Sequence, residues 1–250
     1  MSGPEAQEDS QRRNSSKRGQ SHVVGTVLMI GLTVIALGGL TAAVGGIVDD
    51  QTSRADVDRV SDDFADAIQP QSSTGYGSHE VTFTDGSIRT VERDLRVFND
   101  SMLVARIEVD SLVYERDNFR VAANSGAIVR GSPGGAWLER DPPITAGDGV
   151  LIVGATRLNG TGNAGTNGGV TVTLTTNTTH ERRSLGTDQY TVAIESDTPE
   201  AFREFADRFD SSFRVADLDG DGVESAVLEF DGSRQGYLVD HDMRLEVGDG

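Results

Sequence analysis

The chain has 250 residues, with 40 acidic against 22 basic side chains, a net charge of -18 and no cysteine. A single lysine, Lys17, stands among the basic residues and no glycine precedes it, which excludes a Walker A phosphate loop and leaves no second lysine for Schiff-base chemistry. The absence of cysteine removes thiolate zinc sites and disulfide scaffolds, and a negative excess with no basic stripe beyond residue 19 argues against nucleic acid as a partner.

The charge is partitioned along the chain. Residues 1–19 form a leader whose second half is purely basic, with Arg12, Arg13, Lys17 and Arg18. Gln20 to Val48 then contains no Asp, Glu, Lys or Arg, and from Asp49 onward 18 Arg face 37 acids, a net of -19. Val23 to Val48 would span about 39 Å as a helix, against a bilayer core of about 30 Å. The run is longer than the 7 to 15 residues usual for the apolar core of a cleaved secretory signal. Basic flanks stay cytoplasmic, so the expected arrangement is a single-pass membrane protein with its N-terminus inside and its acidic remainder outside. The 26 Asp against 14 Glu, and Arg in place of Lys, resemble proteins of halophilic archaea, where molar salt shrinks the screening length to about 3 Å.

At the junction, Lys17-Arg18-Gly19 followed by Gln20-Ser21-His22-Val23-Val24-Gly25-Thr26-Val27-Leu28-Met29 resembles the class III signal sequence of archaeal type IV pilins and archaellins. The resemblance covers about residues 11 to 50 and implies several things. A prepilin peptidase would recognise Lys17, Arg18, Gly19 and Gln20 and cut between Gly19 and Gln20 on the cytoplasmic side. The hydrophobic segment would be kept and would pack against other pilin subunits, or copies of itself, in a pilus used for adhesion. In haloarchaeal members a proline often occupies the place of His22.

The segment itself carries a packing signal. Gly38, Ala42 and Gly46 recur every four residues, a small-residue ridge on which a second helix can approach closely; a plain dimer would use the same ridge. Residues 49–70 are then expected to extend the helix amphipathically, with Val57, Val60, Phe64 and Ile68 on one stripe, until Pro70 stops it. Residues 71–78 are a Ser/Gly-rich linker and 79–250 an extracellular head.

The head reads as β-rich. Short alternating runs begin at Glu80–Thr84, with Asp85-Gly86 as a hairpin turn, and continue through Ile88–Val91, Leu95–Phe98, Leu103–Val109, Leu112–Tyr114, Phe119–Val121 and Ile128–Val129. Gly149–Ala155 is a buried strand, Asn159–Gly169 a loop, and Val170–Thr175 alternates again. Tyr190–Ile194, Phe213–Ala216, Val223–Phe230 and Tyr237–Val247 complete the set, interrupted by one helix with Thr198 as N-cap, Pro199 at its first position and Phe202, Phe205 and Phe209 on one face. The predicted fold class is therefore α+β: a long N-terminal hydrophobic helix followed by a sandwich-like β head.

Catalysis is not expected. His22, His79, His180 and His241 are scattered with no metal-helix spacing, and Gly75-Tyr76-Gly77-Ser78-His79 has the wrong register for a nucleophile elbow. One ligand motif stands out: Asp217, Asp219 and Asp221 with Gly220 and Gly222 match the start of a calcium loop, although its twelfth place is Leu228 where a glutamate is needed. Asn99, Asn159 and Asn177 fit the Asn-x-Ser/Thr glycosylation pattern. Two functions are consistent with these features: a pilin-like filament subunit, and a membrane-anchored extracellular binding protein, calcium-assisted, that does not polymerise. The peptidase site separates them, because an anchor has no use for one.

Overall fold

The computed structural model describes residues 8–69, 74–131, 135–160, 162–166, 168–209 and 211–249; the side chains of 8–26, 42–50 and 249 lie outside that description. The chain divides into two compact units, Met1–Gln51 and Thr52–Gly250. Helix α1 spans Glu8–Ala67. Its residues up to Gln51 belong to the first unit.

The α+β class with a long hydrophobic helix is corrected: the described chain is mainly β. Seventeen strands face only α1, a 3-10 turn at Pro199–Phe202 and the short helix α2, Arg203–Asp207. Among the described residues no helix is long and apolar enough to cross a membrane. The apolar part of α1 with described side chains is Val27–Thr41. The flanking parts of the 23–48 run lie outside the described side chains.

The strands of the second unit are β1 (Gly75–Phe83), β2 (Gly86–Val91), β3 (Asp94–Asn99), β4 (Met102–Glu108), β5 (Ser111–Arg116), β6 (Phe119–Asn124), β7 (Ala127–Gly131), β8 (Trp137–Arg140), β9 (Ile144–Gly147), β10 (Val150–Arg157), β11 (Asn163–Thr166), β12 (Val170–Asp188), β13 (Tyr190–Glu195), β14 (Ser212–Ala216), β15 (Ser225–Glu229), β16 (Arg234–Asp242) and β17 (Glu246–Asp249). They form three sheets. The first has the order β1-β12-β16-β10-β9 with β17 also on β12, the second β11-β2-β5-β6-β7-β8, and the third β14-β15-β13-β3-β4. The β10–β16 pair is parallel and the other ladders are antiparallel.

A two-layer sandwich is also corrected, because the central strands β5–β7 of the second sheet are buried on both faces. Val113, Ala122 and Val129 of β5, β6 and β7 pack with the first and third sheets, through Leu151, Val153, Val192 and Leu228 among others. The alternate residues Leu112, Tyr114, Val121, Ala123 and Ile128 face a second core with Val81, Phe83, Val172 and Leu174. Consecutive apolar residues such as Leu112-Val113-Tyr114 are what a strand covered on both sides requires.

The C-terminal half of α1 closes that second core. Val57, Val60, Phe64 and Ile68 are at most 3% exposed there, each contributing about 1.5–3 kcal/mol by leaving water. Asp56, also buried, accepts from Arg116 Nη1 of β5 at 2.6 Å, from the Thr84 backbone N–H at 3.0 Å and from the Thr84 hydroxyl. At the helix end, Arg140 donates to the carbonyls of Ile68, at 2.6 Å, and Ala65, satisfying acceptors the helix cannot pair internally.

Other expectations shift in detail. α1 ends at Ala67 rather than 70, and β1 begins at Gly75, inside the expected linker. Asp85-Gly86 turns no hairpin: β1 pairs with β12 and β2 with β5, so the turn carries the chain from one sheet to another. Gly86 has φ +112, and a Cβ there would lie 2.6 Å from the Glu115 carbonyl, so only glycine fits. The expected loop at 159–169 contains β11, and β12 runs on to Asp188 with mostly exposed side chains that give no apolar alternation. The Tyr237–Val247 strand is two, β16 and β17. Thr198 makes no side-chain cap, and the expected helix is a 3-10 turn followed by α2.

The Asp56→Ala substitution is expected to lower the unfolding free energy by about 3–5 kcal/mol, because it removes one partner of a buried ion pair. Phe64→Ala should cost a similar amount through the cavity left behind. Asp58, which pairs with Arg130 at the surface, should cost about 1 kcal/mol or less when replaced by alanine. Urea denaturation of the three variants checks this order.

Candidate functional site

The first unit presents the exposed candidate. Val27, Leu28, Met29, Ile30, Leu32, Val34, Ile35, Leu37 and Leu40 of α1 are all 58–75% exposed. They occupy every side of the helix, not one stripe, and a helix that is apolar all round belongs in an apolar surround. Gly38 has nothing within 4 Å of a Cβ position, so its face offers room for close approach. Ala42 and Gly46 of the same ridge lie outside the described side chains, as do Lys17, Arg18, Gly19 and Gln20, whose backbone is part of α1.

In the second unit the predicted calcium loop does converge: carboxylate oxygens of Asp217, Asp219 and Asp221 lie within 4.8 Å of one another. The loop is nonetheless closed by protein groups. Asp217 accepts from the N–H groups of Gly220 at 2.8 Å and Gly222 at 3.1 Å, and these hold its carboxyl below the usual range. Asp221 accepts from the Val223 N–H at 2.8 Å. Asp219 accepts from Arg96 Nη2 at 2.6 Å. Leu228, at the twelfth place, is buried in β15. The loop is thus held by hydrogen bonds from the chain itself.

Arg96 is the centre of this region and had no sequence signal. It is 4% exposed and sits among Asp94 at 2.9 Å, Glu195 and Asp219. Arg106 adds a second cation, its Nε 2.7 Å from Asp94 Oδ2. Burial raises the Glu195 carboxyl above its ordinary pKa, opposed by the Asp94 N–H and by Arg96. The arrangement compensates buried charge across the third sheet and the Asp217–Gly222 turn.

The glycosylation candidates differ in setting. Asn99 ends β3 just before the tight turn at Asp100 and Ser101, both with positive φ. Asn159 is exposed between β10 and β11. Asn177 is half-buried within β12, and its backbone N–H donates to the Met243 carbonyl at 2.8 Å. Asn99, like Asn177, is half-buried, so Asn159 is the best placed of the three for attachment to the folded chain.

The structure also joins two histidines the sequence left apart. His180 of β12 and His241 of β16 stand opposite each other with their Nδ1 atoms 2.9 Å apart. Only the register between two distant strands brings them together, so no spacing rule could find them.

Replacing Arg96 by Met should destabilise the second unit by about 3–5 kcal/mol by leaving Asp94 and Glu195 buried without their common cation. Asp219→Asn, which alters only a partly exposed partner, should cost about 1 kcal/mol or less. Thermal unfolding of the two variants measures the difference.

A family model described as a family of unknown function, DUF7289, matches residues 18–246. The matched region begins at Arg18, in the basic and glycine junction, and takes in α1 from that point with nearly all of the β unit. No curated protein and no solved structure matches the chain. With most of its length in that match, the chain belongs to the DUF7289 family.

Proposed function

We propose that this chain is a type IV pilin-like surface subunit. Prepilin peptidase cuts it after Gly19, and the uncharged segment from Gln20 to Val48 then assembles with other pilin subunits or copies of itself, displaying the acidic β head outside the cell in or beside an adhesive pilus. Before assembly the same segment holds the subunit in membrane lipid, with the basic cluster at Arg12–Arg18 on the cytoplasmic side.

The observation that carries this reading is the all-round apolar exposure of Val27–Leu40. Such a surface in water is strongly unfavourable at about 25 cal/mol per Å², so the segment's working state is one in which lipid or neighbouring helices cover it. Gly38 and the small residues that follow in the sequence favour helices as the final cover.

The exposed helix also suits a single-pass membrane-anchored extracellular binding protein that never polymerises. The two readings part at the peptidase site. Mass spectrometry of the mature protein should find Gln20, as such or as pyroglutamate, at the N-terminus, and Gly19→Val should abolish that processing. A mature chain that keeps Met1 or Ser2 would overturn the pilin-like reading and leave the anchor.

A further inference from the structure

His180 and His241 are arranged for chemistry that the fold does not require. They are directly opposed residues of an antiparallel ladder, so both rings project from the same face of the first sheet. The Nδ1 atoms are 2.9 Å apart, the ring centroids 5.0 Å apart and the ring planes at 82°. His180 is exposed and His241 is 7% exposed. Nε2 of His180 lies 3.0 Å from the Thr74 hydroxyl. An apolar pair or a Thr–Thr pair would serve the sheet equally well.

We propose that the two Nδ1 atoms form a bidentate site for a divalent first-row transition cation of tetragonal preference, Cu2+ first and Ni2+ after it. Imidazole nitrogen suits both ions, and affinity for such donors peaks at copper. The separation of the donors selects the geometry. With metal–nitrogen bonds of about 2.0–2.1 Å, two ligands at a right angle stand about 2.8–3.0 Å apart, whereas a tetrahedral pair stands about 3.3–3.4 Å apart. In the ion-free pair 2.9 Å is the length of the hydrogen bond between the rings; a right-angle ion replaces that proton with no ring movement, whereas Zn2+ requires the rings to part by about 0.4–0.5 Å.

The proton inventory balances without an outside reagent. A neutral pair carries two ring N–H groups, and without an ion one of them bridges the two Nδ1 atoms. Binding moves that proton by solvent exchange to the Nε2 of the same ring, so both Nδ1 lone pairs face the ion and both N–H groups remain. His180 then donates its Nε2–H to Thr74, which fixes the ring as a metal-bound histidine is usually fixed by its outer hydrogen bond. Asp240, Asp242 and Glu181, adjacent along the same strands, add negative potential. Arg157 offsets it in part, at 3.5 Å from Asp240 and 3.3 Å from Asp242. The exposed side of His180 leaves the other coordination positions to water.

The test uses the full chain, without an affinity tag, titrated with Cu2+ near pH 7.5 and followed by calorimetry and electron paramagnetic resonance. One equivalent should bind with an axial spectrum showing coupling to two nitrogens, and Zn2+ should bind more weakly. His180→Gln, an exposed change that should leave the ion-free melting temperature in place, should weaken Cu2+ binding by about tenfold or more. The His180→Gln/His241→Gln variant should lose the two-nitrogen signal altogether. Wild-type affinity in the His180→Gln variant, a spectrum without two-nitrogen coupling, or no binding at millimolar Cu2+ would each overturn the proposal.

Discussion

The packed arrangement depends on how the C-terminal half of α1 is pinned. Asp56 is buried on the helix and meets Arg116 of β5 and both the backbone and the hydroxyl of Thr84. A charge taken out of water is tolerable only when its partners are fixed, so this contact sets the rotation and the axial position of the helix on the sheets at once. With that register imposed, Val57, Val60, Phe64 and Ile68 complete the core that the second sheet shares with β1 and β12. Arg140 then closes the helix end by taking up the Ile68 and Ala65 carbonyls. The central strands of the second sheet can be apolar on both sides because α1 with β1 and β12 of the first sheet shares one core and strands of the first and third sheets share the other.

The two parts of α1 thus obey opposite rules. From Thr52 onward the apolar residues are confined to one stripe and find their cover within the chain. Between Val27 and Leu40 they lie all round the helix and remain exposed. The first pattern belongs to a folded unit and the second to a segment that finishes its burial elsewhere. The acidic surface of the head, with a net of -19 from Asp49 onward, keeps that unit hydrated and disfavours heads coming together on their own. In the proposed assembly, association falls to the uncharged segment Gln20–Val48.

Particular residues explain what the sequence could and could not show. The stripe at Val57, Val60, Phe64 and Ile68 was legible because a helix converts spacing directly into a face. The buried run of β10 was legible from continuous apolar residues, whereas the double-sided burial of β5, with only Leu112–Tyr114 as its signal, was not. The sheet order was not, since the parallel pairing of β10 with β16 joins strands far apart in the chain and no local signal encodes it. Asp85-Gly86 has hairpin chemistry but serves as a passage between sheets, and β11, four residues of Asn-Ala-Gly-Thr, is held by its ladder with β2 alone. The acidic turn at Asp217–Gly222 was visible as a motif, whereas the buried Arg96 that engages Asp219 was one arginine among 21. The His180–His241 pair likewise exists only through register.

The central claim is that the Val27–Leu40 segment is covered by the same segment of neighbouring subunits. The absence of cysteine from the chain makes single-cysteine cross-linking clean. Ile35→Cys on intact cells, treated with a short bifunctional maleimide, should yield a ladder of covalent dimers and higher multimers, while Asp117→Cys on the head should stay monomeric. A labelled but wholly monomeric Ile35→Cys protein would contradict the account.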